Sequence, residues 1–169
     1  MSAKYMILGV AFGWGYRKGL DVFIKLANSL NAEDYRIVLV GTDSVVDEML
    51  PSNIISIHRT QNQKELAELY SAADVLVNPT REDNYPTVNM EAIACGTPVV
   101  TFQSGGSCEM ISEISGSVIA CDDFSSLLNE IVRICELKPF KTEDCLSEAK
   151  SFDKWTKFSE YLELYKENV

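Results

Sequence analysis

Chemistry in this sequence concentrates in one stretch, Asp83-Asn84-Tyr85-Pro86-Thr87-Val88-Asn89-Met90-Glu91. Pro86 suits the first position of a helix, because its missing N–H would be unpaired there anyway. The amides of Thr87, Val88 and Asn89 are then left open at the helix start, where they favour an anion. Glu91 follows Thr87 on the same helical face, roughly 5–6 Å further along the axis. That separation suits a diphosphate at the helix tip and a ribose diol at Glu91. A carboxylate has lone pairs enough to accept from both vicinal hydroxyls. In so apolar a helix a buried carboxylate without a role would be costly.

A second stretch, Gly9-Val10-Ala11-Phe12-Gly13-Trp14-Gly15-Tyr16-Arg17-Lys18-Gly19, supplies what the first lacks. Arg17 and Lys18 are cations for the same diphosphate, provided the fold brings the two stretches face to face. The glycines at 9, 13 and 15 let backbone approach a ligand closely. They do not complete the dinucleotide fingerprint, since the third glycine is not at its required place. Composition alone reads Arg17 and Lys18 first as a solvated loop-to-helix edge. His58, the sole histidine, reads as an edge-of-strand residue without a catalytic role.

Positioning these groups requires a particular order of elements. Apolar runs rich in β-branched residues predict strands over 5–10, 36–40, 53–57, 74–78, 98–102 and 117–120. Helical patterns fall over 18–30, 44–50, 63–72, 87–95, 107–114 and 124–135, with two further helices over 142–150 and 153–167. Runs such as R-I-V-L-V and P-V-V-T-F are continuously apolar, which means burial on both faces and a parallel sheet between helices. Regular alternation with right-handed crossovers gives an α/β, doubly wound, six-stranded Rossmann-like domain with extra C-terminal helices. With strand order 3-2-1-4-5-6, the loops after strands one and four meet at the switch point, where ligands bind. The loops His58-Arg59-Thr60 and Gln103-Ser104-Gly105-Gly106-Ser107 fall on the same edge. Gly96 is expected to stop the helix that carries Glu91. In the last helix Trp155, Phe158, Tyr161, Leu162 and Tyr165 form one stripe at spacings of three and four. It reads first as packing onto this domain's own core, and second as reaching a neighbouring domain.

Composition narrows the partners. A chain of 169 residues that is 46% hydrophobic fits one domain spanning 1–169 with a real core. No apolar run approaches the roughly 20 residues of a membrane span, and the first residues do not read as a secretory signal pattern. A formal charge of −10 repels nucleic acid and anionic lipid. The five cysteines are odd in number and lack a C-x-x-C pair. They read as reduced core residues of a cytoplasmic protein, and no cluster has metal-ligand spacing.

Asp83-x7-Glu91 followed by A-I-A-C-G-T-P-V-V resembles the E-x7-E signature of the group 1 retaining GT-B glycosyltransferases. The likeness extends to Y-R-K-G-L-D-V-F, K-E-L-A-E-L-Y-S-A-A-D-V-L-V-N-P-T, S-G-G-S-C-E-M-I and the closing W-T-K-F-S-E-Y-L-E-L-Y. The resemblance implies that this chain is one half of a GT-B fold and binds a nucleotide-sugar donor. It implies ribose binding at Glu91, an acidic group near the donor sugar at Asp83, and phosphate binding at Lys18. The donor site is then expected to draw on Gly13, Arg17, Lys18, Arg59, Thr60, Tyr85, Thr87, Val88 and Glu91, with base contacts near Arg59-Thr60 made largely by backbone. Asp83 is one methylene shorter than the usual glutamate. Gly13 stands where the family carries a phosphate-binding arginine, and Arg17 is the candidate to replace it. Sugar transfer in such enzymes retains anomeric configuration, generally without a metal or other cofactor. An acceptor-binding N-terminal domain of similar size is expected from outside this chain, as is any approach to the inner face of a membrane. Two other readings stand beside this one: a non-catalytic nucleotide-binding or regulatory module, and a redox Rossmann protein, which the incomplete glycine fingerprint disfavours.

Overall fold

The computed structural model describes residues 3–167. Six parallel strands form one sheet: β1 (Tyr5–Val10), β2 (Tyr35–Val40), β3 (Ile54–Ile57), β4 (Val75–Asn78), β5 (Val99–Phe102) and β6 (Gly116–Ile119). Their order across the sheet is β3-β2-β1-β4-β5-β6. This is the expected doubly wound arrangement, with its switch point between β1 and β4.

Successive residues of a strand point to opposite faces, and here both faces are covered. On one side Ile7, Leu39, Val77 and Phe102 pack with α1 (Leu20–Ser29) and α5 (Phe124–Leu137). On the other, Leu8, Val38, Leu76 and Val99 pack with α3 (Gln63–Ala72), α4 (Thr87–Ala94) and α6 (Thr142–Ala149). The continuous apolar runs of the sequence are therefore two half-cores read along one line. Cys135 belongs to the first core and Cys145 to the second. Burial pushes their thiols up to about 12 and about 11, so both stay protonated. Cys95 and Cys108 are half-buried, however, and Cys121 is exposed, so the expectation of core cysteines holds for two of the five.

Three predicted helices are altered. The 44–50 pattern yields only α2 (Ser44–Asp47), capped by Asp43, whose carboxylate accepts from the Val46 amide at 2.8 Å. The 18–30 pattern begins later: Tyr16–Lys18 form a 3₁₀ turn, and Gly19, at φ 75°, separates it from α1. A helix over 107–114 does not form. Gly105–Cys108 make one 3₁₀ turn, and the chain then runs irregularly into β6. The cause lies in the serines. Ser107 is buried against the Thr101 hydroxyl at 3.0 Å, and Ser115 Oγ accepts from the Ser112 amide at 3.1 Å. Such local bonds compete with a helical ladder.

The aromatic stripe also departs from its first reading. α7 (Lys154–Glu167) leaves Trp155, Phe158, Tyr161, Leu162 and Tyr165 between 59 and 67% exposed. The two packed cores are already closed by five other helices, and the stripe lies on neither.

Candidate functional site

The loop after β1 and the loop after β4 meet at the switch point. Gly19 is packed so tightly on Pro79 that a Cβ there would lie 2.5 Å from the Pro79 carbonyl oxygen. The Arg81 amide donates to the Arg17 carbonyl at 2.9 Å. Through this seam Lys18 reaches Asp83, its Nζ donating to Oδ2 at 2.5 Å, with the two side chains 17 and 18% exposed. Arg17 is exposed and points its Nη1 at the Glu82 carbonyl, 3.4 Å away. No ion pair holds it among the described residues.

Arg81 closes the seam, and sequence reasoning missed it. Its guanidinium makes a bidentate pair with Asp21, both bonds at 2.8 Å, and donates from Nε to Asp122 at 2.8 Å. It also lies 3.8 Å over the Tyr16 ring and donates to the Tyr16 carbonyl. One side chain thus ties the 3₁₀ turn carrying Lys18 to α1, the β4–α4 loop and the β6–α5 loop. The Arg81 bonds hold the Asp21 carboxyl below its ordinary range. No local motif announces this hub, because its three partners are distant in sequence.

Pro86 stands immediately before α4, and no side chain caps the helix start. Among the described residues nothing accepts from the Thr87 or Val88 amides, so both remain open to a ligand at the positive end of the dipole. The Asn89 amide does not: it donates to the Pro86 carbonyl at 3.1 Å. The tightened first turn therefore offers two open amides where three were expected. Its side chain shows why that residue is fixed. Asn78, Asn89, Thr101 and Ser107, all buried, form a chain of hydrogen bonds of 2.9–3.2 Å beneath the helix start. Every member has a partner, as burial of polar groups requires. This network and the Gly106 amide, which donates to the Asp83 carbonyl at 3.2 Å, set the β4–α4 loop on the sheet edge. Tyr85 is exposed, its ring edge near Gly106.

Glu91 lies one turn along α4 and is exposed, not buried. Its Oε2 accepts from the Tyr70 hydroxyl at 2.8 Å. Gly13, Arg59 and Thr60 line a separate hollow of about 610 Å³ with His58 and Phe12. Phe12 is 95% exposed at its rim. His58 itself sits 2.7 Å from Asp47. The structure thus joins Arg17 and Lys18 to the loop that carries Asp83 and leads into α4. It sets Arg59, Thr60 and Gly13 in a second place, with Glu91 beside further hollows against α3 and α6. Gly13 has φ 74° and open space around it. The loop is therefore shaped for glycine, and an arginine there would be strained. Among the described residues no group of three or more acidic, histidine or cysteine side chains is placed to hold a metal ion, and no helix is long and apolar enough to cross a membrane.

Comparison with known proteins agrees with this architecture. The family described as glycosyl transferases group 1 matches residues 4–136. A D-inositol 3-phosphate glycosyltransferase of Mycolicibacterium smegmatis is 28% identical over 96 residues, which is 56% of this chain and 22% of the relative. The enzyme of the same name from Streptomyces bingchenggensis is 44% identical over 55 residues, 32% of this chain and 12% of the relative. Among solved structures, a glycosyltransferase from Rickettsia africae superposes with a TM-score of 0.84 at 20% identity, covering 99% of this chain and 48% of that one. The Anabaena protein HepE, solved in complex with UDP-glucose, gives 0.80 at 17% identity, covering 97% and 49%. The chain thus spans about a quarter or less of these curated relatives and about half of these solved chains.

Proposed function

We propose, from the premise that this chain belongs to the group 1 glycosyl transferase family, that it is the donor-binding half of a retaining glycosyltransferase. The observation that carries this reading is the Lys18–Asp83 contact across the switch point, on the loop that leads into α4. Lys18 comes from the β1 side and two open α4 amides from the β4 side, with Glu91 one turn further along. In the proposed complex a nucleoside diphosphate lies across that seam. Lys18, Arg17 and the Thr87 and Val88 amides meet its phosphates, Glu91 accepts from the ribose hydroxyls, and the base enters the hollow of Gly13, Arg59 and Thr60. Tyr85 and Asp83 flank the donor sugar.

During transfer the bond from the anomeric carbon to the terminal phosphate oxygen breaks. The acceptor oxygen bonds to the same face of the sugar, its hydroxyl proton passes to the departing phosphate oxygen, and the nucleoside diphosphate leaves. Negative charge grows on the departing phosphate, and fixed cations and helix amides stabilise charge that develops in the transition state. The acceptor would be held by a second domain outside this chain, consistent with coverage of about half of each solved neighbour.

Thermal denaturation with UDP, GDP, ADP and their sugars tests the reading, with NADH as control. One nucleoside diphosphate should raise the melting temperature, and Glu91→Gln should weaken its binding by about 1–3 kcal/mol, the scale of a charge-assisted hydrogen bond. HepE, solved with UDP-glucose, makes UDP the first probe. Protection by none of the nucleotides, or by NADH alone, would sink it. The left-handed backbone at Gly13, which excludes an arginine there, favours one second reading, a nucleotide-binding module that neutralises a diphosphate too weakly for transfer. Hydrolysis or transfer of UDP-glucose by the longer protein would exclude that module.

A further inference from the structure

We propose that Tyr70 is a positioning residue for the donor, holding one oxygen of Glu91 so that the other is left for the ribose diol; this rests on the donor-binding reading of Glu91. Tyr70 is 1% exposed, on the face of α3 turned to α4. Its hydroxyl donates to Glu91 Oε2 at 2.8 Å. No group among the described residues donates to Oε1. An exposed glutamate otherwise samples several rotamers, and tethering one oxygen removes much of that freedom before a ligand arrives.

The tether is itself rigid. The Tyr70 carbonyl accepts from the buried Thr97 hydroxyl at 2.6 Å, and the Thr97 amide donates to the Ala92 carbonyl at 3.0 Å. The C-terminal ends of α3 and α4 are thus fastened to each other at the residue that carries the phenol. Phenylalanine would fill the same space, so the hydroxyl is the part that packing does not require. A buried phenolic hydroxyl needs a partner, and this one has a carboxylate, which makes the stronger class of hydrogen bond. Burial first, and then the charge of Glu91, push the phenol well above its ordinary range. It is therefore a donor at every physiological pH. Between α3 and α4, Gln63, Leu66, Tyr70, Glu91 and Cys95 line a hollow of about 250 Å³ that leaves Glu91 accessible from this side.

The test measures Kd by calorimetry for UDP, GDP and ADP, each against its 2′,3′-dideoxy counterpart, on the parent chain, Tyr70→Phe, Glu91→Ala and the double variant. Tyr70→Phe should weaken the ribose diphosphate about 3- to 30-fold, leave the dideoxy compound unchanged, and add nothing on the Glu91→Ala background. A partly unfolded variant would lower both affinities by the same factor, so the ratio of the two Kd values isolates positioning from stability. Equal losses for both compounds, an unchanged ratio, or a loss that persists on the Glu91→Ala background would overturn the role of Tyr70 alone. Silence of Glu91→Ala toward a nucleotide that binds would remove the ribose assignment and Tyr70 with it. Binding of none of the three would overturn the donor reading itself.

Discussion

Replacing Asp83 by asparagine should strengthen the binding of UDP, although Asp83 lies inside the proposed site. In the free chain its carboxylate holds the Lys18 ammonium at 2.5 Å, with both side chains less than a fifth exposed. A diphosphate that recruits Lys18 must displace this carboxylate and then sits beside its negative charge. At an effective dielectric of about 20, two unit charges roughly 5 Å apart interact by about 3 kcal/mol. Rotation of Asp83 toward water and screening by salt lower the net cost to about 1–2 kcal/mol. Removing the charge should therefore tighten UDP about 5- to 30-fold. Isothermal titration at low and high salt measures it, and the gain should shrink as salt rises. Lys18→Met, which removes the cation itself, should move Kd the other way by about 1.5–3 kcal/mol. Weaker binding by Asp83→Asn would refute the argument, since the carboxylate would then be helping the ligand and not competing with it.

Arg81→Ala should lower the melting temperature and weaken UDP more than uridine, because the turn carrying Lys18 loses its fastening; equal losses for the two ligands would show that Arg81 acts on stability alone. The same contact predicts a pH dependence: Asp21 has its carboxyl lowered from 3.8 by Arg81. Its contribution is complete above that value and lost as pH falls through the lower folded pKa, so acid melts of Arg81→Ala should fall less steeply below about pH 4 than those of the parent. Gly13→Arg should destabilise by about 1–2 kcal/mol without restoring phosphate affinity, because φ 74° resists a side chain; tighter UDP with an unchanged melting temperature would contradict this. Replacing Trp155, Phe158, Tyr161 and Tyr165 together by serine should leave the melting temperature of this chain nearly unchanged, since exposed side chains lose little burial; a large drop would place the stripe against the core.

The sheet was legible because burial on two faces writes itself into every strand. R-I-V-L-V and P-V-V-T-F could only be central, and the helical period over 63–72 coincides with α3. The doubly wound strand order was a premise of the sequence reading, and once it holds, Lys18 and Asp83 meet although 65 positions apart. What periodicity could not carry was any bond made by a side chain across loops. Arg81 looks like one more surface charge until the fold brings Asp21 and Asp122 to it. Asn89 looks like a weak residue in a helix start, and only the buried partners Asn78 and Ser107 explain it. The 107–114 region carries an amphipathic pattern, yet Ser107, Ser112 and Ser115 turn their hydroxyls on local backbone and on Thr101 and so break the ladder. Conversely, the stripe on α7 is periodic and apolar, which specifies a face but not what covers it.

Electrostatics explains how a chain of charge −10 can still prepare a place for a diphosphate. Long-range repulsion falls away within about 10 Å in salt, so only the nearest groups decide the matter. At the switch point those groups are nearly neutralised: Lys18 by Asp83, and Arg81 by Asp21 and Asp122. Among the described residues, what remains is Arg17, which makes no ion pair, and the two α4 amides. Binding a diphosphate is thus an exchange, in which an anion takes the place of a carboxylate the chain already holds. Exchange costs little when the leaving carboxylate can turn to water, and Asp83, itself half-buried, stands between the exposed Glu82 and Asn84. On the proposed reading the half-site alone should have modest affinity, because the contact to Lys18 replaces an old one. A second domain that shut out water would weaken the carboxylate's alternative and strengthen every remaining bond to the phosphates. On the proposed reading the chain's own residues would orient the donor, and closure by another domain would supply the strength.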